Sequence, residues 1–491
     1  MVKAVVGEES HLKLAEDRLA QSAIPAQVGL VIGKLSSNLD RGFVFDLVPT
    51  PVNDAGVPAC SLLEPSKDDK KKGSKSKSQA TDSSSLVVDN DWVAEHARQV
   101  SRMLLGGMKV VGIYVWVGDS AFKNSTIMLC QTVKAVADAA SLSDTDLDER
   151  ILIHICYSPR RWTCRNCSLA SNITSSNLRP CDFKMGKVLN SLQTFKCMYN
   201  FDLRLPIYKN ASNVRTLTDV LRHVISIHAK ELKSAKAVID GNLVVNDEPC
   251  TSDGLHEVEL LLPFMKNAST EGNQKEVTGV IAFSGSVCSY AYLNSKEPIS
   301  QAVAQIKEDI ILSLQSRLDI ICDEADGDTG PSDAEIKEAS DGMSTENPVS
   351  QLSIHLLRKT CNVSFPRRVF IPWLAGMLVC DYLQSSETLE VLKDHCKELL
   401  SMETTLDSLT ILEPEVEAPT LIARSFWDVA APLGPASSSS SNSSSPLETH
   451  RGETGAKTIK SANVNILLAA FFLLLSVIVG FVLLQSKHHN S

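Results

Sequence analysis

The sequence predicts an α/β (α+β) body followed by a single C-terminal transmembrane helix. Three observations predict it. Short β-branched runs alternate with amphipathic segments of helical period, three polar stretches interrupt that alternation, and nineteen positions from Ile466 to Leu484 carry no charge.

Taken in order, Val28–Lys34 and Gly42–Val48 are apolar runs separated by a polar turn, the pattern of a buried strand pair. From Asp91 to Leu105 the pattern is helical, with Val93, Ala97, Val100 and Leu104 on one face, Asp91 placed to cap and Gly106-Gly107 as the stop. Val110–Val117 is a strongly β-branched strand, Thr126–Ala140 a helix and Arg150–Tyr157 another central strand. Further on, Val214–Ala235 predicts a helix, Val277–Leu293 a strand pair, Ile299–Ile320 a helix, Arg367–Trp373 a strand and Glu387–Met402 an amphipathic helix.

The run ILLAAFFLLLSVIVGFVLL, Ile466 to Leu484, is roughly 28 Å long as a helix, close to the ~30 Å of a bilayer core. Backbone groups in lipid are satisfied within the segment, which makes it a helix in contact with the lipid bilayer. Acidic residues Glu8, Glu9, Glu16 and Asp17 interrupt any cleavable leader at the start. Arg451, Lys457 and Lys460 precede the span and Lys487 follows it, so the bulk is expected in the cytosol. A span this short suits the endoplasmic reticulum membrane. Thirteen cysteines, many inside apolar strings, read as reduced core thiols, and the seven N-x-S/T sites then never meet glycosylation enzymes.

Nine acids between Asp323 and Asn347 against Lys337 account for most of the net charge of −10, and no basic face suggests nucleic acid. The expected organisation is a cytosolic body over 1–322 with a Lys/Ser-rich disordered insertion at about 66–85, and an acidic linker over 323–350. The rest of the body follows at 351–429, then a Ser-rich tether at 430–463, the transmembrane helix at 464–485 and a lumenal tail at 486–491.

The strings Gly29-Leu-Val-Ile-Gly33, Val44-Phe-Asp-Leu-Val-Pro-Thr-Pro51, His96-Ala-Arg-Gln-Val-Ser-Arg-Met-Leu104 and Val111-Gly-Ile-Tyr114 resemble the MPN domain, the fold of the JAMM zinc isopeptidases and their inactive relatives. The active version places a Glu, a His-x-His pair and an Asp around a zinc ion with one open position for water. Carried onto this chain, those positions fall on Ala26, Val115, Val117 and Met128, while the family's serine falls on Ser125. No side chain there grips a metal, so the resemblance implies a catalytically dead, MPN-like body without a cofactor. Together with Phe365-Pro-Arg-Arg-Val-Phe-Ile-Pro-Trp373 and the terminal span, these strings resemble the odorant-response-abnormal-protein-four family. That resemblance implies a non-enzymatic, membrane-bound adaptor. The clients it implies are a subset of heptahelical receptors, G-protein-coupled in type, and it makes a ubiquitin-fold-modifier protease a candidate partner.

Other residues carry weaker signals. Cys164-x-x-Cys167, with Cys181 and Cys197, supplies four thiols at spacings that fit no tight zinc knuckle, and His154 lies inside an apolar strand. An isopeptidase with atypical metal or thiol ligands drawn from these residues is the competing reading. Arg160, Arg161 and Trp162 are a candidate recognition loop. Arg367, Arg368 and Trp373 belong to a strand bracketed by Pro366 and Pro372, which suits a sheet edge open to a partner. No P-loop, Gly-x-Gly-x-x-Gly or Gly-x-Ser-x-Gly string is present.

Overall fold

The computed structural model describes residues 2–425, apart from 37–39, 64–83, 141–148, 170–173, 175–176, 209–216, 246–247, 251–253, 264–276, 328–360 and 403–409. All of them fall within one compact unit, Met1–Pro432. The Lys/Ser insertion, nearly all of the acidic linker, the Ser-rich tether, the run Ile466–Leu484 and the tail lie outside the described residues. No described helix is long and apolar enough to cross a membrane.

The first half is a barrel. Its strands and helices run β1 (Ala4–Glu8), α1 (Glu9–Gln21), β2 (Gln27–Ser36), β3 (Arg41–Pro49), β4 (Cys60–Leu63), β5 (Ser85–Val88), α2 (Asn90–Met103), β6 (Lys109–Trp116), α3 (Asp119–Asn124), α4 (Thr126–Ala140), β7 (Glu149–Tyr157), β8 (Arg160–Ser168) and β9 (Leu178–Gly186). The barrel closes in the order β1-β3-β2-β6-β7-β8-β9. The short β4–β5 pair stands apart from it.

Strand β6 shows why so apolar a sequence is needed. Tyr114 and Trp116 point into one core with Ile153, Ile155 and the Leu12, Ala15 and Leu19 face of α1. Ile113, Val115 and Val117 point into another, with Val93, Ala97 and Val100 of α2 and Leu129, Val133 and Val136 of α4. A strand buried on both faces carries no polar alternation. Helix α2 is capped by Asp89, whose Oδ1 accepts the Trp92 amide at 3.1 Å, rather than by Asp91. The side chain that accepts the amide of the third helical residue is the N-cap, two positions before Asp91. After the helix, Gly106 and Gly107 have φ of 64° and 79°. A Cβ on Gly106 would lie 2.2 Å from the Tyr292 ring, so both backbone angle and space exclude a side chain.

The second half is a seven-stranded sheet. It is built from β10 (Leu192–Tyr208), α5 (Leu217–Ser234), β11 (Lys236–Ile239), β12 (Asn242–Leu243), β13 (Leu255–Leu261), β14 (Val277–Asn294), α6 (Ile299–Gly327) and β15 (Cys361–Ser364). A separate pair, β16 (Arg367–Pro372) and β17 (Leu378–Leu383), and α7 (Leu389–Leu400) lead to β18 (Thr420–Ser425), which returns to the sheet between β14 and β15. The body over 1–322 therefore holds the barrel, the β4–β5 pair and most of the second sheet, which residues beyond the acidic segment complete. Helix α6 runs to Gly327, past the expected linker boundary at 323.

The stretch Val277–Leu293 is not a strand pair. It is one strand, β14, paired in antiparallel register with β10 from Leu192↔Asn294 to Tyr208↔Val277. Ser284-Gly285-Ser286 reads as a turn, yet Pro419 packs on Gly285, where a Cβ would lie 2.8 Å from the Pro419 Cα. The glycine serves close approach of a neighbouring chain instead of a reversal. Helices α5 and α6 cover this sheet through Leu221, Ile225, Ile306, Ile310 and Leu314.

Candidate functional site

Of the four positions onto which the resemblance carries metal ligands, Ala26, Val115 and Val117 lie at the ends of β2 and β6, and Met128 lies on α4. Val28 pairs with Val115, which puts Ala26 beside Val117 at the strand ends. Ala26, Val115 and Val117 are buried in the core shared with Phe122 and Leu129, and Met128 packs against it, half-buried. Ser125 is buried, and its Oγ accepts the Leu86 amide at 2.7 Å, tying β5 to the start of α4. This is packed hydrocarbon with one structural hydroxyl. It offers no lone pair suited to a cation.

One strand over, a polar cluster closes the same end of the barrel. His154 is buried, its Nε2 donates to the Val117 carbonyl at 2.9 Å, and its ring stacks on Phe122 with centroids 4.0 Å apart. Its Nδ1 therefore faces Asp119 Oδ1, at 4.0 Å, as a lone pair. Burial pushes the His154 pKa down, against the Val117 carbonyl and Asp119, so the ring is neutral. Arg161 grips both Asp119 oxygens at 2.9 and 2.7 Å. Burial works to raise the Asp119 carboxyl, but the Arg161 hydrogen bonds and charge hold it below its ordinary range. The Cys156 thiol donates to the Ser158 carbonyl at 3.4 Å, and Arg165 lies over the Phe122 ring at 4.5 Å. Ligand atoms of Asp119, His154 and Cys156 lie within 4.8 Å of one another, a set compatible with a metal ion. Arg161 competes for the carboxylate, and two guanidinium groups nearby oppose a cation.

The candidate recognition loop splits accordingly. Arg160 is exposed, Arg161 is held by Asp119, and Trp162 lies flat on Phe183 of its own barrel, with centroids 5.5 Å apart. The four thiols do not converge. Cys164 pairs across the strands with Cys181 and joins the core inside the barrel, Cys167 faces the outer core, and Cys197 belongs to the second sheet.

The strand Arg367–Pro372 is not an open edge. Phe370 exchanges both backbone hydrogen bonds with Leu412 at 2.8 Å, on the side away from β17. Arg367 pairs with Glu413, and Trp373 packs half-buried against the barrel-side core. Arg368 is only 2% exposed. It donates to both Asp309 oxygens, at 2.8 and 2.9 Å, while its backbone amide donates to Glu415. Glu415 in turn accepts two bonds from the fully buried Arg317. A buried arginine needs such carboxylates, and here they come from distant segments that no local reading of Arg367-Arg368 contains. A signal did exist in α6. Asp309, Ser313 and Arg317 interrupt its apolar stripe at four-residue steps, which places polar groups on a buried face.

Comparison with known proteins gives a consistent answer. The family model described as Odorant response abnormal 4-like matches residues 29–411. Protein odr-4 homolog of Xenopus laevis is 22% identical over 425 residues, covering 82% of this chain and 84% of that protein. The human protein of the same name is 27% identical, covering 66% and 72%, and that of Dictyostelium discoideum is 25% identical, covering 83% and 80%. Among solved structures, the crystal structure of UfSP from C. elegans aligns over 83% of this chain and 60% of that one. The identity is 8% and the TM-score 0.37, too low to support an argument. The relatives are named as odr-4 homologues, not after an enzymatic activity. On a match that spans most of its length, the chain belongs to the Odorant response abnormal 4-like family.

Proposed function

We propose that this protein is a non-enzymatic adaptor, held at the endoplasmic reticulum membrane by Ile466–Leu484, that assists the folding or trafficking of membrane receptors. Family membership supports a receptor-handling role, since the family is named for an odorant response. The observation that carries the anchored form of it is the uncharged nineteen-residue run next to a Ser-rich tether. In this reading the body is an MPN-like barrel used as a surface, and Val115 and Val117 fill the space that a hydrolytic metal would need. A ubiquitin-fold-modifier protease is the partner proposed for that surface.

Tethering supplies the mechanism. A body confined near a bilayer meets membrane clients at an effective concentration on the order of millimolar, so weak contacts suffice. The test compares the full chain with one lacking residues 464–485. The truncated form is expected to keep its unfolding midpoint and lose delivery of a receptor to the cell surface. Equal delivery by both forms would contradict the proposal.

A further inference from the structure

Outside the barrel, the β11–β12 turn, the start of β13 and Cys250 ahead of it bring a carboxylate, an imidazole and a thiol into series. Cys250 Sγ lies 3.6 Å from His256 Nε2, and His256 Nδ1 lies 2.7 Å from Asp240 Oδ2. We propose that Cys250, His256 and Asp240 form a nucleophilic thiol centre that accepts acyl groups from thioester donors.

The arrangement assigns each proton. An ionised carboxylate only accepts, so the short bond to Asp240 places the imidazole hydrogen on Nδ1. Nε2 is then the lone pair, and the thiol donates to it. This is the order of nucleophile, base and orienting acid that thiol catalysis requires. The carboxylate is itself held: Asp240 Oδ1 accepts the Glu257 amide at 2.9 Å. The His256 hydrogen bond, with that amide, keeps the Asp240 carboxyl below its ordinary range.

Independent local structure positions each member. Asp240 and Gly241, with φ of 48° and 79°, form the two-residue turn between β11 and β12, a conformation that Asp-Gly adopts readily. His256 is buried in β13 with Phe195 at 4.9 Å between ring centroids. The segment before Cys250 is pinned to the start of α6, since Ile299 donates to the Glu248 carbonyl at 3.2 Å. The Cys250 carbonyl accepts from Gln193 at 3.1 Å. Among the cysteines whose side chains are described, eleven are buried and Cys250 alone is partly exposed. The thiol that meets solvent is thus also the one seated on an oriented imidazole.

A thioester suits this centre because attack and departure both involve sulfur. The Cys250 sulfur attacks the carbonyl carbon while its proton passes to His256 Nε2. A new C–S bond forms, the donor's C–S bond breaks, and the departing thiolate takes the proton back from the imidazolium. The acyl group ends on Cys250, the donor leaves as a free thiol, and no oxidant or reductant is consumed.

The experiment treats the full chain in detergent with the acetyl thioester of N-acetylcysteamine at pH 7 and follows the mass of the Cys250 peptide. An ordinary, half-buried thiol acylates more slowly in the folded chain than in urea; the proposed centre acylates faster when folded. His256→Gln is expected to slow folded-state acylation roughly 100-fold, the lower end of what a positioned base supplies. Asp240→Asn should slow it less, as a positioning residue. Slower acylation of folded wild-type chain than of unfolded chain would overturn the proposal without recourse to any variant. So would an unchanged rate in a folded His256→Gln protein. Alkylation by iodoacetamide without acyl uptake would overturn the thioester assignment.

Discussion

Asp309→Asn is the sharpest perturbation of the second half. Asp309 accepts both terminal nitrogens of Arg368, at 2.8 and 2.9 Å, and the Ser289 hydroxyl at 2.6 Å. Arg368 and Asp309 are both buried, as is the neighbouring Arg317–Glu415 pair. Asparagine preserves the volume, removes the charge and turns an amide NH2 toward a guanidinium. Removing one partner of a buried ion pair costs about 3–5 kcal/mol, because the remaining charge stays desolvated. At about 2 °C per kcal/mol for a unit this large, the melting temperature should fall by roughly 6–10 °C. The assay is thermal and urea unfolding of the full chain in detergent, wild type against variant. Replacing the pair, Asp309→Leu with Arg368→Met, removes the orphaned charge, leaves the Ser289 hydroxyl with only the Ile306 carbonyl at 3.5 Å and takes one donor from the Cys288 carbonyl, a cost of about 1–3 kcal/mol. The double variant is therefore expected to be more stable than Asp309→Asn. A single variant within about 1 kcal/mol of wild type, or a double variant less stable than the single, would refute the reasoning.

Two further outcomes follow from the barrel half. Burial pushes the His96 pKa from 6.5 down to about 4, with the Leu399 carbonyl opposing. A folded value below the unfolded one means that the unfolded chain binds the proton first, so stability present above pH 6.5 is lost as pH falls toward about 4, by roughly 3 kcal/mol in full. Urea unfolding at several pH values should show that slope, and His96→Gln should flatten it; an unchanged slope in the variant would assign the acid sensitivity elsewhere. Asp89→Ala should cost about 1 kcal/mol in the same assay, and Asp91→Ala much less, since Asp89 supplies the cap. Equal losses would contradict the capping assignment.

The legible parts of the fold are those whose physics is local. Helix α4 runs from Thr126 to Ala140, the same bounds as its apolar period, and β6 and β7 follow their β-branched runs to within a residue. Both strands are buried on two faces, a state that only a continuous apolar run satisfies. Tertiary partners decided the rest. Ser284-Gly285-Ser286 has turn chemistry, but β10 on one side and β18 on the other hold β14 straight through it. Arg367-Arg368 has surface chemistry, but Asp309 and Glu415 satisfy Arg368 inside the body. The Asp240-Gly241 turn is set by two adjacent residues, but what it carries is not local: His256 reaches Asp240 only once β11 and β13 pair, and Cys250 reaches His256. At the barrel end, the apolar types of Ala26, Val115, Val117 and Met128 are legible in the sequence. The Asp119–Arg161 pair beside them depends on where β8 begins.

The central claim, a cytosolic body held to a membrane by Ile466–Leu484, is tested most directly by protease protection on sealed microsomes carrying the full chain. Asn166 is already informative: its side chain is buried and donates to Glu149 at 2.8 Å, so its N-x-S/T site is closed in the folded body. With the membranes intact, the account predicts that added protease degrades everything ahead of the span, leaves a short protected fragment containing it, and finds no glycan on the chain. A protected body, or glycans on its exposed asparagines, would contradict it.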